Sequence, residues 1–247
     1  MAVAESTQVA EGVHRLGSRL FNYYLVEEGE ALTLVDAGLP GLRPSLDETL
    51  AALGRSLGDI RAVVLTHAHG DHIGIAEAVR AEAGVPVHVH AKDEELARTG
   101  RKPKREGSLV PYLRHGAAWG LILGFIRNGR SPKIGEVTTF GEGDVLDVPG
   151  RPRVIHAPGH TNGHCAYHFE QHGALFVGDL LCTWNPLTGR LGPQIMPRPF
   201  NVSSAESLDS LGRIEQLEAR ALLPGHGDPW TAGPAAAVAR AREAGLS

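Results

Sequence analysis

The stretch Thr66-His67-Ala68-His69-Gly70-Asp71-His72 sets four metal-competent side chains directly behind the apolar run Ala62-Val63-Val64-Leu65. A short run that is apolar throughout reads as a strand buried on both faces and ending at Thr66, which points to an α/β protein. The loop beyond the carboxyl end of such a strand is where α/β folds place reactive groups, because the sheet gives them a rigid base. Crowding three histidines and an aspartate beside a core strand is costly unless something compensates their polarity, and a metal ion does so.

Working outward, Val13-His14-Arg15-Leu16, Phe21 to Val26 and Ala31 to Val35 read as strands separated by turn residues such as Gly17-Ser18 and Glu28-Gly29. Leu42 to Leu57 carries apolar residues at helical spacing. A helix is expected from Ile73 to Ala83, a strand from Val85 to His90 and a short helix from Asp93 to Thr99. Strands resume at Val145 to Val148, Arg153 to His156, Cys165 to Phe169 and Ala174 to Val177, which suggests two similar halves. A proline-rich loop from Leu181 to Ser203, a helix near Ala205 to Leu217, a strand at Ala221 to Leu223 and a helix from Pro234 to Ala244 complete the chain. Proline at the first position after Gly233 fits a helix start. No linker or low-complexity segment divides residues 1–247, so one domain is expected.

Three further segments repeat the logic of the first. Pro158-Gly159-His160, Gly178-Asp179 and Pro224-Gly225-His226-Gly227 each put a candidate ligand beside glycine or proline after an apolar strand. With the first cluster they supply five imidazoles and two carboxylates, enough for two divalent ions with room left for water. His88 and His90 alternate on a predicted strand and share a face, but they stand apart from this set. His115 has no evident partner.

These ordered elements, from Asp36 to His226, resemble the metallo-β-lactamase superfamily over almost the whole chain. The resemblance implies a four-layer αββα sandwich with the site along the edge where two sheets meet. It implies that His67, His69 and His160 hold the first metal, Asp71, His72 and His226 the second, and that Asp179 bridges them. Two divalent ions, zinc first and iron or manganese as substitutes, lower the pKa of a shared water and polarise the carbonyl it attacks. Asp71 is the expected proton shuttle. Asp36 or nearby carbonyls are expected to accept the second N–H of the ligand imidazoles. His164, Cys182 and Trp184 are expected behind the ligands or facing the substrate.

Within the superfamily, Asp179 disfavours antibiotic hydrolysis, since true β-lactamases usually lack an aspartate there. Glyoxalase II adds a helical C-terminal region with basic residues for glutathione, and little follows His226 here. Lactonases of similar size usually carry a tyrosine three residues past the bridging aspartate, where this chain has Cys182. Flavodiiron proteins replace the second histidine with glutamate, whereas His69 is present. The expectation is therefore a dinuclear hydrolase of an ester, lactone or thioester. A mononuclear iron persulfide dioxygenase is the alternative, and a phosphodiesterase or nuclease the second alternative.

A net charge of -4 offers no general attraction for phosphate backbones, so nucleic acid is not an expected partner. The local basic cluster of Arg101, Lys102, Lys104 and Arg105 reads as a solvated face. Two cysteines and no secretory leader pattern point to a reducing cytoplasm. The segment at about 98–133 breaks the strand-helix rhythm with an apolar stretch from Leu109 to Ile126. Its uncharged run is shorter than the roughly 20 residues of a membrane span. It is expected to cap the metal cleft, with Trp119 and Phe125 as contacts, or else to bury itself in a homodimer interface. Trp184, Met196 and Phe200 would form the opposite wall, favouring a small-molecule substrate with an apolar portion.

Overall fold

The computed structural model describes residues 7–101 and 104–246, so Lys102 of the basic cluster lies outside the described residues. Strands β1 (Thr7–Ala10), β2 (Val13–Ser18), β3 (Phe21–Glu28), β4 (Ala31–Val35), β5 (Ile60–Val64), β6 (Val87–His90) and β7 (Thr138–Phe140) form a seven-stranded sheet in sequence order. A second sheet has the order β13-β10-β9-β8, built from β8 (Arg153–His156), β9 (Cys165–Phe169), β10 (Ala174–Gly178) and β13 (Ala221–Pro224). A short hairpin, β11 (Cys182–Trp184) with β12 (Leu191–Gln194), stands apart.

The layering follows from strand periodicity, because successive side chains point to opposite faces. On β3, Tyr24 and Val26 face the second sheet and join Val154, Tyr167, Phe169 and Phe176 in the core between sheets. The alternate residues Tyr23 and Leu25 face outward onto α1 (Arg43–Ala52) and α2 (Ala76–Ala83), through Leu46, Leu50, Ala76 and Val79. On β10, Phe176 faces inward, whereas Leu175 and Val177 pack against Ala237, Val238 and Ala241 of α6 (Pro234–Ala244). Helix, sheet, sheet, helix is the resulting order, the αββα sandwich.

The differences from the sequence reading are local. Val145 to Val148 is not a regular strand but makes one bridge, Val145 to Arg153. A tight turn, with Arg151 donating to the Val148 carbonyl at 2.9 Å, arrives before a ladder can form, yet Leu146 and Val148 still reach the inter-sheet core. The helix expected to reach Leu217 ends early, as α5 (Ser204–Ser210) tightens into a 3-10 turn at Leu211–Arg213. The proline-rich loop contains β11 and β12, and α3 (Glu94–Thr99) precedes the insertion, whose main helix is α4 (Gly116–Asn128).

Phe176 meets Tyr24 and Phe169 edge-to-face, with ring centroids 5.2 and 5.1 Å away. Truncating it in Phe176→Ala should cost about 3–5 kcal/mol in denaturant unfolding. Val145→Ala, at a side chain 52% exposed, should stay within about 0.5 kcal/mol of the parent.

Candidate metal centre

Strands β4, β5, β6 and β7 run parallel, as do β10 and β13, so several carboxyl ends open on one edge of the sandwich. Asp36 follows β4, the histidine motif follows β5, Asp179 follows β10 and His226 follows β13. Asp36 takes a left-handed backbone (φ 56°), a conformation that costs a residue with a Cβ of order 1 kcal/mol and that short polar side chains tolerate best. In return its carboxylate accepts from the Thr66 backbone N–H at 2.8 Å and from the Thr66 hydroxyl. It also accepts from His72 Nδ1 at 2.8 Å.

This network decides which ring nitrogens face inward as lone pairs. The Thr66 hydroxyl is spent on Asp36, so its oxygen accepts from His67 Nδ1 at 3.1 Å. His160 Nδ1 donates to Asn201 Oδ1 at 3.0 Å and His226 Nδ1 to the Leu20 carbonyl at 2.5 Å. With each outer nitrogen protonated, the Nε2 atoms of His67, His72, His160 and His226 point into one space as acceptors. His160 Nε2 lies 3.2 Å from His67 Nε2 and 2.8 Å from His69 Nδ1. Asp179 Oδ2 sits 3.3 Å from both His160 and His226 and 3.9 Å from His67, while its Oδ1 is 3.5 Å from His72. His226 Nε2 is also 3.5 Å from Asp71 Oδ2.

Three sets of donors therefore converge, each with ligand atoms within 4.8 Å of one another: His67, His69 and His160; His67, His72 and Asp179; and Asp71, His72 and His226. Asp179 is buried, and its Oδ1 has no hydrogen-bond partner among the described residues. Such an atom needs a cation more than a proton donor, so the residues fit divalent metal. Burial pushes His67 well below its ordinary pKa, and the neighbouring imidazoles push it further. Burial works against the ionised Asp179, but His226, His72 and His160 overcome it and hold the carboxyl well below its usual range.

Close packing makes glycine obligatory here. A Cβ on Gly225 would lie 2.3 Å from Asp179 Oδ1 and 2.6 Å from His72 Cε1. At Gly178 (φ +48°) it would meet Thr66 Oγ1 at 2.5 Å.

The other predicted residues fall behind this cluster or away from it. His164 is fully buried outside the converging set, and its Nε2 accepts the Asp179 backbone N–H at 3.0 Å. Cys182 is buried on β11, where burial pushes its thiol well up and the Asp179 charge adds to the effect. Neither Cys182, which is buried, nor Trp184, which is half-buried, is among the residues lining the cavity. His90 stacks on His156 with ring centroids 4.3 Å apart and belongs to none of the three donor sets.

A cavity of about 310 Å³ opens over the cluster, with His69, Asp71, His160, Asp179 and His226 on its floor. The insertion supplies one wall through Leu109, Leu113, Leu121, Ile122 and Phe125, and Leu187, Met196 and Phe200 supply the facing wall. Phe125 is braced edge-to-face on Phe21 at 5.1 Å. Trp119 is different: it is 53% exposed, and its indole N–H is tied to the Leu113 carbonyl at 2.9 Å. The basic cluster also divides, since Arg101 is exposed and paired with Glu95 at 3.1 Å, whereas Arg105 lines the cavity.

Thr66 and Asn201 were not singled out in the sequence. Thr66 adjoins the motif and could have been read as its anchor, but Asn201 lies 41 positions from His160 in an irregular loop and carries no local signal.

The chain matches the metallo-β-lactamase superfamily over residues 19–226 and belongs to it. It is 31% identical over 222 residues to the probable metallo-hydrolase YqjP of Bacillus subtilis, covering 84% of this chain and 67% of that protein. It is 30% identical over 222 residues to a hydroxyacylglutathione hydrolase of Gloeobacter violaceus, covering 89% of this chain and 66% of the relative, so it spans about two thirds of these relatives' length. A metallo-β-lactamase family protein from Thermus thermophilus superposes with a TM-score of 0.68 at 26% identity, over 96% of this chain and 80% of that one.

Removing the acceptor for His160 in Asn201→Ala should weaken divalent-metal binding about 10–100-fold. Competition with a chromogenic chelator reads this directly, and an affinity equal to the parent's would detach Asn201 from the centre.

Proposed function

We propose that this chain is a two-metal hydrolase of an ester, thioester or lactone. His67, His69 and His160 would hold one divalent ion, Asp71, His72 and His226 the other, with Asp179 shared. The observation that carries this reading is the convergence of both donor sets on one buried carboxylate, beneath a cavity with apolar walls. Zinc suits these ligands, and bound divalent ions would supply an activated water and polarise the scissile carbonyl.

The chain's own residues do the remainder. Asp71 is the least buried of the carboxylates around the cluster and lines the cavity, so it can take a proton from the incoming water and return one to the leaving group. The walls from α4 and the loop before α5 exclude bulk water, which strengthens every charge interaction on the floor. They also seat an apolar portion of the substrate. The name of the hydroxyacylglutathione hydrolase relative describes action on an acyl group carried by glutathione, which supports including thioesters. Both cysteines are free and buried, which supports a place in the reducing cytoplasm.

Elemental analysis of purified protein should find two zinc or manganese ions per chain, and a chromogenic panel of esters, thioesters and lactones should show turnover that chelation abolishes. One iron per chain, no hydrolysis and oxygen uptake with persulfide would replace this reading with a dioxygenase.

Two variants separate the roles. Asp71→Asn should lower kcat by about 10²–10⁴. The double variant Leu121→Ala/Phe125→Ala should instead raise KM for long-chain substrates more than for acetyl ones, and equal changes for both would remove the cap from substrate binding.

A further inference from the structure

Arg105 stands out among the residues around the cavity. The other ionisable side chains there, His69, Asp71, His160, Asp179 and His226, all belong to the metal-competent cluster on the floor. Arg105, in the segment that precedes α4, lines the cavity with its guanidinium carbon 6.0 Å from the Phe200 ring centroid. Among the described residues no hydrogen bond or ion pair engages it, in contrast to Arg101 and Arg98, which pair with Glu95 and Glu94. Its burial disfavours the charged form and the carboxylate of Asp71 favours it, so the cation is kept in a partly desolvated place without a partner of its own.

The backbone holds it there. Glu106 N–H donates to the Asn201 carbonyl at 3.0 Å, and the Glu106 carboxylate accepts from Ser204 N–H at 2.9 Å. Gly107 lies so close to Pro199 that a Cβ would come within 3.1 Å of its nitrogen. A half-buried, anchored, unpaired guanidinium at an apolar wall is the arrangement that a planar anion completes, through two parallel N–H···O bonds.

We propose that Arg105 is a specificity residue, and that the substrate is an amphiphile whose apolar portion ends in a carboxylate bound by Arg105. The inference rests on the hydrolase reading for the reacting end of that substrate. The apolar body lies between the α4 wall and Phe200, the carboxylate meets Arg105, and the scissile carbonyl reaches the floor.

The test uses the metal-loaded protein and paired thioesters of one chain length, ending in a methyl group, a carboxylate or a phosphate. The carboxylate-ended member should have kcat/KM about tenfold or more above the methyl-ended one, most of it in KM. Arg105→Met should bring that ratio near one and Arg105→Lys should restore part of it, since a point charge survives without the fork. A parent ratio near one, or an Arg105→Met variant that keeps the parent ratio, overturns the proposal, and a preference for the phosphate-ended member overturns the choice of carboxylate.

Calorimetry with a non-hydrolysable ether analogue of each pair separates the two readings. Arg105-dependent binding of the carboxylate-ended ether without turnover of any member would uphold this inference and sink the hydrolase, whereas turnover without an Arg105-dependent preference would do the reverse.

Discussion

A carboxylate that is 2% exposed, with four imidazoles within 3.9 Å, is the constraint on which the rest of this structure depends. An ionised Asp179 at that depth is untenable without compensating charge. Hydrogen bonding does not supply it in full, because one oxygen lacks a donor. The imidazoles beside it hold it ionised, and a bound cation would compensate its charge while leaving those rings neutral. Everything around Asp179 makes this crowding reproducible: His164 receives its backbone N–H, Gly225 leaves room for its Oδ1, and Asp36 fixes His72 from behind.

The sandwich makes such crowding affordable by placing it at the carboxyl ends of strands whose cores are already dry. β5 is buried between neighbours on both sides, and the motif begins where its ladder ends. Tyr167 of the second sheet donates its hydroxyl to the Leu65 carbonyl at 2.7 Å, and Cys165 N–H donates to the Thr66 carbonyl. The two sheets are thus tied together at the base of the ligand loop. Orientation of the ligands is then a property of backbone positions in the core, and not of flexible side chains at a surface.

The legibility of the chain follows the same division. The apolar runs Ala62 to Leu65 and Ala174 to Val177 are readable as strands because burial on both faces leaves no polar position in them. The candidate ligands are readable because histidine and aspartate crowded behind an apolar strand are costly to place. Features set by tertiary contact are not. The helix after Ser203 ends at a 3-10 turn that its composition does not announce, and Val145 to Val148 is buried like a strand without pairing like one. Trp119 and Phe125 look alike in sequence, yet α4 turns one outward and the other onto the cavity. Arg105 shares its sequence context with exposed basic neighbours such as Arg101, and nothing local distinguishes an arginine that bends into a cleft.

Asn201 shows how the cap and the centre became one device. Its side-chain oxygen orients His160, its amide donates to the Met196 carbonyl at 2.7 Å and to Ser204 Oγ at 3.0 Å, and its own carbonyl holds Glu106 in the cap. Met196 and Phe200 lie on one cavity wall, and Arg105, next to Glu106, stands over the Phe200 ring. One buried asparagine, through its side chain and its backbone carbonyl, therefore sets a candidate ligand imidazole, a wall of the cavity and the loop that carries the unpaired cation. Altering the wall without disturbing the ligand requires keeping all four of these bonds, so the freedom to change substrate in this fold lies in the side chains of α4 and the cap, and not in the backbone of the loop that follows Met196.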